Sequence, residues 1–300
     1  MKYLLLIFLL LSQHTFAQCI GNNEQCAPVG EWELSLAMGA GVLTNPLQGG
    51  SNIPLVLVPN ISYYGNKIFF ENNALGYSFS ESDDFSFSAI SLINREKSFF
   101  TRWHPSNVFI PSISNDLSNA TPGFEGTGTD NGNTDNTEQD TILSSIDLNA
   151  VAQRKWALDA GAQANWFISP QSHLTIQLLH DVTNTYNGFN GKIEFNHRFS
   201  AFNIANMQWR LTAGVNWLSQ QQVDYYYGLS KKDNVDKEHF YQGKSALNPY
   251  IKLSSAYKLN NNWRLTFTAR SEFLSSSIHR SPLVKDEMLK TIFVGVVYAY

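Results

Sequence analysis

Residues 262–273 read Asn262-Trp263-Arg264-Leu265-Thr266-Phe267-Thr268-Ala269-Arg270-Ser271-Glu272-Phe273. Taken alternately, Trp263, Leu265, Phe267, Ala269, Ser271 and Phe273 fall on one side, and Arg264, Thr266, Thr268, Arg270 and Glu272 on the other. Successive side chains leave a strand on opposite faces, so this is a β-strand with one apolar and one polar face. The split recurs in 31–42, 155–168, 189–199 and 207–217, and more weakly in 52–64, 84–93, 172–184, 246–258 and 288–300.

Alternation by itself also fits a soluble sandwich. Two further features favour a membrane barrel. The segments run to about 10–14 residues, which suits a tilted strand crossing a bilayer rather than the usual five or six. Trp or Tyr marks their ends (Trp32, Tyr63, Trp156, Trp166, Trp209, Trp217, Tyr257, Trp263), as a girdle at two membrane interfaces would. The expected fold is therefore all-β, a transmembrane antiparallel up-and-down β-barrel over 31–300. Ile292, Val294, Val296, Tyr298 and Tyr300 lie in phase at the end, an aromatic-terminated strand that resembles the signal read by the barrel-assembly machinery of bacterial outer membranes.

Composition agrees. In 300 residues, apolar types make up 43%, aromatics 13% and charged types only 15%, with a net charge of −4. Charge lies well below the usual quarter, yet the mean hydropathy is −0.22. Lipid on one face of every strand and water on the other would produce both values. The acidic balance leaves no basic face for nucleic acid, and two cysteines without a Cys/His cluster leave no zinc site.

Lys2, the apolar run Leu4–Leu11 and Thr15-Phe16-Ala17 form the three regions of a signal peptide cleaved after residue 17. An uncleaved anchor is the competing reading, but the run is about half of the ~20 residues a spanning helix needs. Residues 18–30 would then be a short periplasmic segment. In it Cys19 and Cys26 are candidates for a local disulfide, with two free thiols as the alternative. Gln18 is too large for the position before a lipidated cysteine.

Connections assign the two ends of the barrel. Ser169-Pro170-Gln171, Glu81-Ser82-Asp83 and Asn260-Asn261 are tight turns, as on a periplasmic side, whereas 94–146, 229–245 and 275–287 are long and polar, as outside. Asp130, Asn131, Asn133 and Asp135 in the long 94–146 loop lack the spacing of a calcium loop. The strand count turns on 66–80, where Asn72-Asn73 interrupts an otherwise continuous pattern. One bent strand gives ten or so strands; a hairpin gives about twelve, the number expected here.

Short blocks in a fixed order also resemble a known family. They are Gly39-Ala40-Gly41 before Asn45-Pro46, Val58-Pro59-Asn60-Ile61-Ser62-Tyr63, Phe69-Phe70, Leu75-Gly76-Tyr77 and Leu178-Leu179-His180-Asp181-Val182 before Asn187-Gly188. Tyr226-Tyr227-Gly228-Leu229, Ala256-Tyr257-Lys258-Leu259 with Trp263, Ser281-Pro282-Leu283-Val284 and Tyr298-Ala299-Tyr300 complete the series. Together they resemble the MipA/OmpV outer-membrane proteins (MltA-interacting protein). The stretch 94–146 has no counterpart in that pattern. The resemblance implies a scaffold or envelope-maintenance protein at the Gram-negative outer membrane, with a murein transglycosylase and a penicillin-binding protein as partners. Other members are linked to osmotic or antibiotic response and to adhesion. It implies no catalytic residues.

Nor do the residues suggest catalysis. His180 and Asp181 are adjacent and so point to opposite faces, His180 toward lipid and Asp181 inward. His104, His239 and His279 fall in loops, and no G-x-S-x-G is present. No cofactor or metal site is expected, and a barrel hydrolase is the least favoured alternative. The inward charges are Glu33, Asp159, Asp181, Lys192, Glu194, Arg198, Arg210, Lys252, Arg264, Arg270 and Glu272. Their mixed signs suit an interior filled by cross-strand pairs, with a small diffusion channel or an adhesin as alternatives.

Overall fold

In the computed structural model, thirteen strands join in one antiparallel sheet that closes on itself where the last strand pairs with the first. The structure describes residues 29–101, 148, 151–200 and 206–299. The first 28 residues, with Cys19 and Cys26, lie outside the described residues, as do Tyr300, His104 and most of 94–146. The strands are β1 (Trp32–Leu43), β2 (Ile53–Pro54), β3 (Leu57–Tyr64), β4 (Ile68–Glu71), β5 (Ala74–Glu81), β6 (Phe85–Ile93) and β7 (Leu158–Ser169). They continue with β8 (Ser172–Asp181), β9 (Phe189–Phe199), β10 (Met207–Leu218), β11 (Ala246–Lys258), β12 (Trp263–Phe273) and β13 (Met288–Ala299). The two-residue β2 only extends the β3 side of β1, so the wall is a ring of twelve.

The ambiguous stretch 66–80 is a hairpin. Asn72 takes the left-handed backbone (φ 57°) that a tight turn requires and that Asn tolerates. Phe70 then pairs with Leu75, and Glu71 with Ala74.

The period of two sets which side each residue occupies. In β12, Thr266, Thr268, Arg270 and Glu272 are buried, whereas Leu265 and Phe273 stand exposed on the opposite face. Ile176, Leu178, Ile193, Phe195, Ile251, Ile292 and Val294 continue that exposed apolar surface around the ring. Rings cluster at the turn end, with Trp32 5.0 Å from Tyr63 and Trp263 5.3 Å from Tyr298. Strands of eleven or twelve residues rise about 38 Å, or roughly 29 Å along the axis at a tilt near 40°. That matches the thickness of hydrocarbon. Among the described residues no helix is long and apolar enough to cross a membrane, and the crossing is made by strands.

A lipid-facing charge should therefore be costly. Ile193 lies at the middle of β9, is 50% exposed and pairs with Ile176 and Val215. Ile193→Arg is expected to lower stability in lipid vesicles by ~2–4 kcal/mol in urea titration, and Phe199→Arg, at the turn end of the same face, by less than ~1. Equal losses at the two depths would contradict this placement.

Apolar side chains gather in a second place. Leu47, Phe99, Val223, Tyr226, Tyr227, Ile278 and Leu283 are buried together, and all come from connections at one end of the barrel. The connection after β10 begins at 219, ten residues before the polar loop expected from sequence, and starts with helix α1 (Gln220–Tyr227). The connection after β12 holds a short helix α2 (Ser276–His279). These segments fold inward as a lid.

Candidate functional site

A ring of twelve strands spaced ~4.8 Å apart and tilted near 40° has a backbone diameter of roughly 24 Å. Side chains from the strands do not fill that width by themselves, and the loop end is filled by the lid. Ser219 precedes α1 in extended conformation. Its hydroxyl accepts from the Phe189 amide at 3.0 Å, and its carbonyl accepts from the Val223 amide at 3.1 Å. Gly228 closes the helix by donating its amide to the Asp224 carbonyl at 2.9 Å. The buried side of α1 is Gln222, Val223, Tyr226 and Tyr227.

Each tyrosine hydroxyl finds a partner. Tyr226 donates to the Lys155 carbonyl at 3.1 Å, and Tyr227 donates to Glu96. Burial pushes the Glu96 carboxyl up, against the pull of Arg95 and of the Tyr227 hydrogen bond. Burial, then the Glu96 charge, pushes the Tyr227 phenol up in turn. Arg154 and Asp233 form a fully enclosed ion pair at 2.8 Å, and Arg154 also donates to the carbonyls of Ala152, Tyr226 and Gly228. From the β1 side, Asn45 donates to the Phe99 carbonyl at 2.8 Å.

One ion pair spans the barrel. Arg95, just past β6, donates to both carboxylate oxygens of Glu272 on β12, at 2.6 and 2.8 Å. These strands stand six places apart in the ring of twelve, on opposite walls. Glu272 also accepts from Arg270 at 2.7 Å and Asn216 at 3.0 Å. Arg270 lies 4.1 Å over the Tyr250 ring, and Tyr250 donates to Glu194.

The structure places the eleven charges singled out from sequence as follows. Asp159, Asp181, Glu194, Lys252, Arg270 and Glu272 are buried, and Glu33, Lys192, Arg198, Arg210 and Arg264 are half-buried. Asp159 accepts from Tyr186, Asn94 and Asn190 at 2.6–2.7 Å. Asp181, opposite it in register, accepts from the amides of Thr183, Tyr186 and Asn187 and so shapes the β8–β9 connection. His180 points outward, its ring 4.5 Å from that of Phe189.

The signs are sorted by strand. Among the described residues, β1 and β3 to β8 carry inward Glu33, Glu71, Asp159 and Asp181 and no lysine or arginine. β9 to β12 carry seven inward bases, Lys192, Arg198, Arg210, Lys252, Lys258, Arg264 and Arg270, against Glu194 and Glu272. Polar side chains pair across adjacent strands in this interior, as Gln163 does with Gln177, Asn165 with Thr175 and Asn196 with Thr212. One arc is acidic and the facing arc basic, with a cavity of about 520 Å³ between them. Glu71 was not expected, because the register of 66–80 was open. Arg95, Glu96, Arg154 and Asp233 come from loops whose inward fold has no period to read.

Comparison with known proteins agrees with this architecture. The model of the family "MltA-interacting protein MipA" matches residues 36–300. The chain belongs to the MipA family. The MltA-interacting protein of Escherichia coli K12 is 33% identical over 88 residues, a match covering 29% of this chain and 36% of that protein. The chain thus aligns with about a third of that curated relative. An E. coli outer-membrane protein called YiaT is 23% identical over 269 residues, covering 89% of this chain and 91% of YiaT. The outer membrane protein OmpV of Vibrio cholerae is 23% identical over 163 residues, or 54% and 60% of the two chains. This MipA-family barrel is therefore a protein of the Gram-negative outer membrane.

Proposed function

We propose that this MipA-family barrel is a non-enzymatic scaffold of the outer membrane, whose periplasmic turns hold murein-processing enzymes. The observation that carries the reading is the lid. A barrel whose loop end is packed with Tyr226, Tyr227, Ile278 and Leu283 and laced wall to wall by Arg95 and Glu272 is built to be rigid rather than to conduct. The partner class comes from the name of the E. coli relative, a MltA-interacting protein. The surface left for such a partner is the turn end, where connections such as 170–171 and 82–84 are short.

Photo-crosslinking in intact cells tests this. A photoreactive residue at Gln171 or Asn261, in periplasmic turns, is expected to capture a murein transglycosylase or a penicillin-binding protein. The same residue at Ile193, facing lipid, should capture neither. No such adduct from either turn overturns the reading. The second reading is a narrow diffusion channel, favoured by the polar cavity. Stepwise conductance of the intact protein in planar bilayers would support it over the scaffold.

A further inference from the structure

The lumen cavity has the size and polarity of a ligand site. Its volume, about 520 Å³, falls within the ~300–1,000 Å³ of small-molecule pockets. The charges around it balance, with Glu71, Glu96, Asp159 and Glu194 against Arg95, Lys192, Lys252 and Arg270. A solute of net charge would leave one charge uncompensated among these groups, and an apolar one would offer none of them a partner.

The balance is not a mixture. Glu71 on β4 lines the cavity together with Tyr64 and faces Lys192, Arg210 and Lys252 across the lumen. A solute with positive and negative ends is drawn into line with that field. Asp159 is already saturated by three neutral donors, Glu96 is held by Tyr227 and Arg95, and Glu194 by Tyr250 and Asn196, which leaves Glu71 as the acid for an ammonium. Lys192 is only loosely engaged, 3.9 Å from Glu194, and suits a carboxylate. The same cavity carries a separate feature. Gln222 on the inner side of α1 is 2% exposed and lines the cavity, and its side-chain oxygen accepts no hydrogen bond from the described residues. A buried acceptor of that kind wants an N–H donor. We propose that the cavity binds a short zwitterionic peptide, its ammonium at Glu71, its carboxylate at Lys192 and a peptide N–H at Gln222. The cations Arg198, Arg210, Lys258 and Arg264 sit on the turn halves of their strands and would draw the carboxylate end in from the periplasmic side. This site is independent of the scaffold reading, because it uses the lumen and not the turns.

The experiment uses the full chain folded in detergent micelles, titrated calorimetrically with four forms of tri-alanine: free at both ends, acetylated, amidated, and capped at both. The free peptide is expected to bind saturably, and either single cap to weaken it at least tenfold. Glu71→Gln should abolish the penalty of acetylation and leave that of amidation, and Lys192→Gln the reverse. Saturable binding that ignores all caps, or no binding of the free peptide, overturns the proposal on the unmodified protein alone, whatever the variants' folding.

Discussion

Asp233→Ala is expected to unlatch the lid while leaving the barrel standing. Arg154 and Asp233 are almost wholly enclosed, and among the described residues the carboxylate oxygen at 2.8 Å is the only anion paired with that guanidinium. Without it, Arg154 keeps the carbonyls of Ala152, Tyr226 and Gly228 but has no counter-charge. Stranding one member of a buried ion pair costs ~3–5 kcal/mol. The same carboxylate accepts from the Ser230 amide at 2.9 Å, so the turn that seats it loosens as well. The loss falls on the lid because the pair joins the segment before β7 to the β10–β11 connection and touches no strand ladder. The measurements are limited proteolysis and bilayer conductance. Cleavage within 219–245 should rise by at least a hundredfold, and current steps absent from the parent protein should appear. The circular dichroism of the strands should stay unchanged. Asp233→Asn, which keeps an acceptor, should fall between. A protease-resistant, silent Asp233→Ala protein would show that other contacts hold the lid.

Much of the architecture could be read from period alone. Thr266, Thr268, Arg270 and Glu272 are interior because they alternate with Leu265, Phe267 and Ala269, and the same logic put His180 outside and Asp181 inside. Even the hairpin at Asn72-Asn73 was open to the argument that Asn tolerates a left-handed turn. The lid was not legible, for a physical reason. The sequence of α1, Gln220-Gln221-Gln222-Val223-Asp224-Tyr225-Tyr226-Tyr227, buries tyrosines and a glutamine, so no apolar stripe announces a helix. Its partners Glu96, Arg154 and Ser281 lie far away in sequence. The sorting of charge is a different lesson. In an up-and-down barrel, order along the chain is order around the ring, so acids early and bases late already meant two opposed arcs. Taken without that order, the same residues read as a mixture.

The seam where the ring closes should tolerate change least. β1 and β13 pair from Ser35 with Ala299 to Leu43 with Thr291, and at the middle Gly39 faces Gly295. A Cβ on Gly39 would lie 2.0 Å from the Val294 carbonyl oxygen and 2.6 Å from the Gly295 Cα. One on Gly295 would lie 2.4 Å from the Met38 carbonyl oxygen. These obstacles are backbone, so no rotamer change relieves them, and the strands must part. Parting them exposes two edges in hydrocarbon, where every unpaired amide and carbonyl costs several kcal/mol. Gly39→Ala is therefore expected to lower stability by at least ~3 kcal/mol, at or beyond the upper end of overpacking penalties. Gly39→Val should prevent closure. Ala40→Val, one residue on, points to the exposed side and should stay within ~0.5 kcal/mol of the parent, as surface changes do. Refolding into micelles, followed by electrophoresis with and without boiling, separates closed from open chains. Closed Gly39→Val protein at the parent yield would mean that the seam can shift to accept a side chain, and the backbone argument would fail.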